Sequence, residues 1–221
     1  MSLSRITLIH ATPVAVEPIV DAFKRLWPEA RTTNLLDDSL SADLAAVGRL
    51  TDKMIERFVT LARYAHGCGA HAVLFTCSAF GPAIEAAQAA LNIPVLKPNE
   101  AMLNEALAAG NRIGLLATFA PSIPALRAEL EQMARQRQLK LEIKIKTQAI
   151  PTALTALHAG RAAEHNRLIA RAADELGVCD ALILGQFSMA SAAALIPDQP
   201  GRKVLTSPTS AVRQLKRMLA A

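Results

Sequence analysis

The sequence predicts an α/β fold made of two pseudo-symmetric three-layer halves, each around a mostly parallel sheet, with a cleft between them. Three observations predict it. Short apolar runs alternate with helical periodicity along the 221 residues, which is the pattern of strand–helix units around a parallel sheet. The apolar fraction is 52% but aromatics make up only 4%, so the core is aliphatic and helices can pack closely on a sheet. Finally, Asp180-Ala-Leu-Ile-Leu184 echoes His71-Ala-Val-Leu-Phe75 at an offset of 109 positions, and the same offset carries Val95 onto Val204 and Leu96 onto Leu205.

The elements follow in order. Ile6–Ile9 is an apolar run ended by His10-Ala-Thr-Pro13, and Pro13 suits the first turn of a helix. Val14–Leu26 has helical spacing and stops before Pro28. Thr32–Leu36 reads as a strand, followed by the polar turn Asp37-Asp38-Ser39. A helical pattern over Arg49–Ala65 is stopped by Gly67 and Gly69. The strand Ala72–Phe75, a helix over Pro82–Ala90, a strand over Asn92–Leu96 and a helix over Asn99–Ala109 complete the first series.

The series then restarts. Ile113-Gly-Leu-Leu-Ala-Thr-Phe-Ala-Pro121 echoes Ile6–Pro13, and a helix over Pro124–Gln136 follows. Leu139–Ile145 alternates apolar and charged residues, as a half-exposed strand near a sheet edge does. Helical segments fill Thr152–Leu176 with a break near Gly160. The strand Ala181–Leu184 and the last strand, Lys203–Leu205, lead through Ser207-Pro208 into a closing helix. The first half therefore takes residues 1–97 and 207–221, and the second takes residues 98–206.

Composition narrows the function. The net charge is +5, but basic residues are spread among acids on helical faces. The densest patch, Arg135–Lys140, lacks interleaved aromatics, so a nucleic-acid partner is not predicted. Three cysteines without a CxxC argue against a disulfide framework and against a zinc site. No apolar run approaches the roughly 20 residues that span a bilayer, and Met1–Arg5 lacks a signal-peptide shape. A reduced, cytoplasmic protein with neither membrane nor nucleic-acid partners is expected, and its alanine-rich helices suit a homodimer. Neither GxGxxG nor GxxxxGK[ST] occurs, which disfavours nucleotide binding.

Four turns fall at strand carboxyl ends, the edge where open parallel sheets bind ligands. They are His10-Ala-Thr12 and Thr76-Cys-Ser78 in the first half, Ala117-Thr-Phe119 and Gly185-Gln-Phe-Ser188 in the second. They carry a thiol, hydroxyls, an amide and many N–H groups, but no acid. Such neutral donors suit a carboxylate-bearing substrate and can stabilise charge that develops on it. Cys77, at the mouth of a following helix, is a candidate thiolate. His10 is a candidate second acid or base. Thr12, Ser78, Thr118 and Ser188 are candidate binding hydroxyls that would also suit helix caps. Phe187 either lines a pocket or packs inward. Cys68 and Cys179 precede their strands, at the opposite edge, and read as small buried residues.

The motifs Phe75-Thr-Cys-Ser78, Leu115-Leu-Ala-Thr118 and Leu184-Gly-Gln-Phe-Ser188, with the loop Asn34–Leu40, resemble the aspartate/glutamate racemase superfamily. That group includes amino-acid and hydantoin racemases, maleate isomerases and arylmalonate decarboxylases. The resemblance implies two pseudo-symmetric halves and proton transfer without a cofactor or metal, by one cysteine from each half on opposite sides of the substrate carbon. Cys77 matches the first cysteine position. Gln186 occupies the second, and an amide neither takes nor gives a proton usefully near neutral pH.

The leading expectation is a racemase- or isomerase-like enzyme working at the carbon next to a carboxylate. Its catalytic residues would be Cys77 and His10, and its binding residues Thr12, Ser78, Thr118, Phe119, Gln186, Phe187 and Ser188. A single-cysteine decarboxylase of a substituted malonate and a non-catalytic carboxylate-binding protein are the alternatives. A cysteine hydrolase fits less well, because Phe75 crowds the elbow such a nucleophile needs.

Overall fold

The computed structural model describes residues 4–137 and 143–220. The chain divides into two compact units, Met1–Glu100 with Ala211–Ala221, and Ala101–Ser210.

The first unit begins with β1 (Arg5–His10), a 3-10 turn at Pro13–Ala15, α1 (Val16–Leu26) and β2 (Arg31–Leu36). Next come α2 (Ser39–Val47), α3 (Asp52–Gly67), β3 (Ala72–Phe75), a 3-10 turn at Ser78–Phe80, α4 (Gly81–Ala89) and β4 (Val95–Leu96). The sheet is parallel, in the order β2-β1-β3-β4. The α2 helix was not legible in the sequence. The polar turn leads straight into it, and Gly48 closes it at φ 73°, a left-handed conformation that glycine adopts without strain. The helix read from Arg49 therefore starts later, where the Thr51 hydroxyl accepts a hydrogen bond from the Met54 N–H at 3.3 Å.

One face of this sheet packs Ile9, Val73 and Phe75 against Leu40, Phe58, Ala62, Phe80, Ala83 and Ile84 from the helices. Phe58 is the hub, with ring centroids 5.0 Å from Phe75 and 4.7 Å from Phe80. Ile6, Leu8, Ala72 and Leu74, which alternate with these, are also fully buried. Both faces of β1 and β3 are covered, and this is why they read as largely apolar runs.

The second unit follows with α5 (Glu100–Ala109), β5 (Arg112–Ala117), α6 (Ser122–Gln136), β6 (Lys144–Ala149), α7 (Pro151–His158), α8 (Ala162–Glu175) and β7 (Ala181–Leu184). A 3-10 helix at Phe187–Leu195 and β8 (Lys203–Thr206) follow, and α9 (Ser207–Ala220) closes the chain, its residues from Ala211 onward belonging to the first unit. The sheet order is β6-β5-β7-β8, again parallel. Leu116, Leu182 and Leu184 pack under α7 and α8, while Ile113, Leu115, Ala181 and Ile183 pack under α5 and α6. The edge strand β6 is exposed except at the half-buried Ile145 and Gln148, and it runs to Ala149. Of the strand predicted over Leu139–Ile145, residues 139–142 lie outside the described residues, as do residues 138–140 of the basic patch.

The repeat holds at the level of register. Val73 pairs with Val95 and Leu74 with Leu96, while Leu182 pairs with Val204 and Ile183 with Leu205. Each pair in the second sheet lies 109 positions after its counterpart in the first. At the amino edges, the backbone N–H of Arg5 donates to the His71 ring at 2.8 Å, and the N–H of Arg112 donates to the Asp180 carboxylate at 2.9 Å. The Arg112 guanidinium also bonds that carboxylate and holds it below the usual carboxylate range.

Candidate active site

Parallel pairing brings the carboxyl ends of β1, β2 and β3 side by side, and in the first unit it assembles a buried polar chain. The His10 side chain is fully buried. Its Nε2 lies 2.9 Å from the Asn34 Oδ1 on β2, and its Nδ1 lies 2.9 Å from the Thr76 Oγ1 just past β3. An amide oxygen only accepts, so Nε2 carries the proton and Nδ1 accepts from the threonine hydroxyl. Burial lowers the His10 pKa below its ordinary 6.5, with the Asn34 bond opposing, so the ring is neutral. Both ring nitrogens are thus spent on neighbours within this unit. The ring ties the ends of the three strands together.

Cys77 follows Thr76 in extended backbone, at φ −121° and ψ 120°, and opens the Ser78–Phe80 turn. Its side chain is half-buried against Phe75 and its neighbours in the core. Burial pushes its thiol above the ordinary 9.0, and the Ala79 N–H bonded to the sulfur offsets this only in part. The sequence predicted a thiolate at a helix mouth, and here the structure differs. A three-residue 3-10 turn separates Cys77 from α4, so the sulfur does not sit at an α-helix terminus and desolvation dominates. The group is a protonated thiol near neutral pH.

The second unit builds its turn differently. Gln186 also stands in extended backbone, at φ −128° and ψ 151°, and opens the Phe187–Leu195 helix. Its Oε1 accepts from the Thr118 N–H at 2.8 Å and from the Thr118 hydroxyl at 3.3 Å. Its Nε2 donates to the Ser122 hydroxyl at 2.6 Å, and that hydroxyl donates to the Phe119 carbonyl at 2.7 Å. The amide is a brace between two turns. The preceding Gly185 stands in a tight place, where a Cβ would lie 2.8 Å from a Leu126 methyl and 3.0 Å from the Leu116 carbonyl oxygen.

The remaining predicted residues are distributed around these two centres. Thr12 precedes the Pro13–Ala15 turn, but its side chain makes no capping bond. Ser78 is exposed, and Ser188 is half-buried within the second unit's 3-10 helix. Thr12 holds the N-cap position of its turn without a side-chain bond, whereas Cys77 and Gln186, not Ser78 and Ser188, hold the N-cap positions of the two later 3-10 helices. Phe119 is 52% exposed, whereas Phe187 is buried. Cys179 is buried beside Gly114, ahead of β7. Cys68 is exposed at the end of α3, which corrects its reading as a buried residue.

Sequence reasoning gave no role to Asn34, Thr76 or Ser122, whose partners lie 24 to 66 positions away. The only local signal was a polar residue at each strand end or turn. Among the described residues, no cluster of three or more His, Cys, Asp or Glu side chains could hold a metal. No described helix is long and apolar enough to cross a membrane.

Comparison with known proteins agrees with this architecture. No curated protein matches the chain in sequence. Among solved structures, a glutamate racemase isoform from Bacillus anthracis is 18% identical, with a TM-score of 0.68 over 98% of this chain and 82% of that one. The allantoin racemase from Klebsiella pneumoniae is 16% identical, with a TM-score of 0.69 over 98% and 88%. An unliganded arylmalonate decarboxylase is 19% identical, with a TM-score of 0.67 over 97% and 92%. At such identities the likeness shows the fold. The Asp/Glu/hydantoin racemase family matches residues 11–215, nearly the whole chain, and the protein belongs to that family.

Proposed function

We propose that the protein is a cofactor-independent enzyme that moves a proton on one face of the carbon next to a substrate carboxylate, with Cys77 as the proton carrier. The observation that carries this reading is the contrast between the two turns. Cys77 presents a half-buried thiol, while its counterpart in the repeat, Gln186, is an amide already bonded to Thr118 and Ser122. His10 is spent on Asn34 and Thr76, so it does not replace the missing second thiol. The substrate carboxylate would be met by neutral turn donors, which stabilise the enediolate formed when the adjacent carbon loses a group.

The decarboxylase alternative draws support from the protonated state of Cys77. In that reaction the bond from the α-carbon to one carboxylate breaks, and CO₂ leaves. The electron pair stays on the carbon as an enediolate, the Cys77 S–H delivers its proton there, and water reprotonates the sulfur. One acid suffices. Proton exchange at an amino acid or hydantoin carbon would instead need the thiolate first.

The test is incubation in D₂O with amino acids, hydantoins, maleate and substituted malonates, followed by NMR. Deuterium uptake or CO₂ loss that disappears in Cys77→Ala supports the proposal. Saturable binding with no turnover across the panel would point to a carboxylate-binding protein instead.

A further inference from the structure

We propose that Arg57 is a positioning residue for the Cys77 turn, acting through the loop that follows β2. From α3, the Arg57 guanidinium bonds the Asp43 carboxylate at 2.6 Å, the Ser39 hydroxyl at 2.7 Å and the Asp37 carboxylate. Ser39 also donates to Asp37 at 2.7 Å. Burial alone would raise the Asp37 carboxyl, but the Ser39 and Arg57 bonds outweigh it and hold it ionised. A planar fork that grips two carboxylates fixes direction as well as distance, which a lysine would not do.

The loop so held is fastened to the end of β1. The Asp37 N–H donates to the His10 carbonyl at 3.0 Å, and the Ser41 hydroxyl donates to the Ala11 carbonyl at 3.0 Å. The His10 ring bonds Asn34 on β2 and Thr76, the residue before Cys77. A continuous series of hydrogen bonds thus runs from an arginine on the third helix to the backbone that carries the thiol. The titratable groups in it are His10, Asp37, Asp43 and Arg57. Asp37, Asp38 and the first turn of α2 are polar apart from Leu40, which is fully buried, so the clamp adds to the ordering that the helix itself supplies.

The inference rests on the reading of Cys77 as the working thiol, but its test does not depend on turnover. In a Cys68→Ala, Cys179→Ala background, the rate of Cys77 alkylation by iodoacetamide is measured from neutral to alkaline pH, with the melting temperature alongside. Arg57→Ala is expected to speed alkylation about fivefold by loosening the turn and to move the profile's midpoint down towards an ordinary cysteine. Arg57→Lys is expected to recover only part of this. Arg171→Ala, which removes an exposed ion pair with Glu175 on α8, should leave the profile unchanged. If Arg57→Ala does not fold, Asp43→Asn removes one arm and should speed alkylation about twofold. A profile that superimposes on the parent's in the variant that folds, whatever its melting temperature, would overturn the inference. So would an equal shift in Arg171→Ala. Absence of deuterium exchange together with the expected alkylation shift would sink the proposed function alone.

Discussion

The imidazole of His10 lies 2.9 Å from the hydroxyl of Thr76, and the equivalent place in the second half holds Ala117 and Gly185. The backbone is the same in both: the Thr76 N–H donates to the Ile9 carbonyl at 3.0 Å, and the Gly185 N–H donates to the Leu116 carbonyl at 2.8 Å. One half therefore supports its turn with a buried polar pair, and the other with two small residues and a braced amide. That asymmetry leaves a thiol after the third strand of the first half and an amide at the matching position of the second.

The polar pair makes stability depend on pH. The His10 pKa is lowered in the folded state, so below 6.5 the unfolded chain takes up a proton that the folded chain refuses. This stability is fully present above that pH and is lost as the pH falls through the folded value. Melting temperatures measured down to acidic pH should drop more steeply for the wild type than for His10→Gln.

The brace can be tested by removal. Gln186→Ala leaves the buried Thr118 N–H without its partner and should cost about 1–3 kcal/mol, read by urea denaturation. Gln186→Cys is the informative companion. It should lose some stability but raise the ratio of racemisation to simple exchange, because it restores a second thiol.

Packing behind the brace predicts a further loss. In Gly185→Ala the new methyl lies 3.0 Å from the Leu116 backbone carbonyl oxygen, and overpacking of this kind costs about 1–3 kcal/mol. Gly160→Ala, with no atom within 4 Å of its added carbon but a φ of 74°, separates conformational strain from crowding in the same denaturation assay.

The direction of proton flow sets the pH profile of turnover. Burial raises the Cys77 pKa, so a reaction that uses the thiol as donor should hold its rate through neutral pH and fail only on alkaline ionisation. A reaction that starts with the thiolate should speed up over the same range. The kcat profile of the best substrate distinguishes the two.

Much of the architecture was legible because the central strands β1, β3, β5 and β7 are buried on both faces and bounded by turn residues. The echo between His71–Phe75 and Asp180–Leu184 anticipated the shared register. The α2 helix escaped because its start is written in the same polar residues as the preceding turn, and the Phe187–Leu195 helix because its alanines carry no periodicity. Cys77 and Gln186 could be placed from the strand ends alone. The His10–Asn34 and Gln186–Ser122 bonds could not, because they depend on which strands and turns become neighbours. The state of the Cys77 thiol was misjudged for a related reason: burial by Phe75 and its neighbours outweighs the short turn that follows it.

One measurement tests the one-thiol account most directly: the configuration and deuterium content of product formed in D₂O by the wild type and by Cys77→Ala. The account predicts a single deuterium on one face. Chiral substrates would exchange with retention, a prochiral malonate would give one labelled enantiomer, and Cys77→Ala would give neither. Racemic, fully labelled product from the wild type, or undiminished labelling by Cys77→Ala, would contradict it.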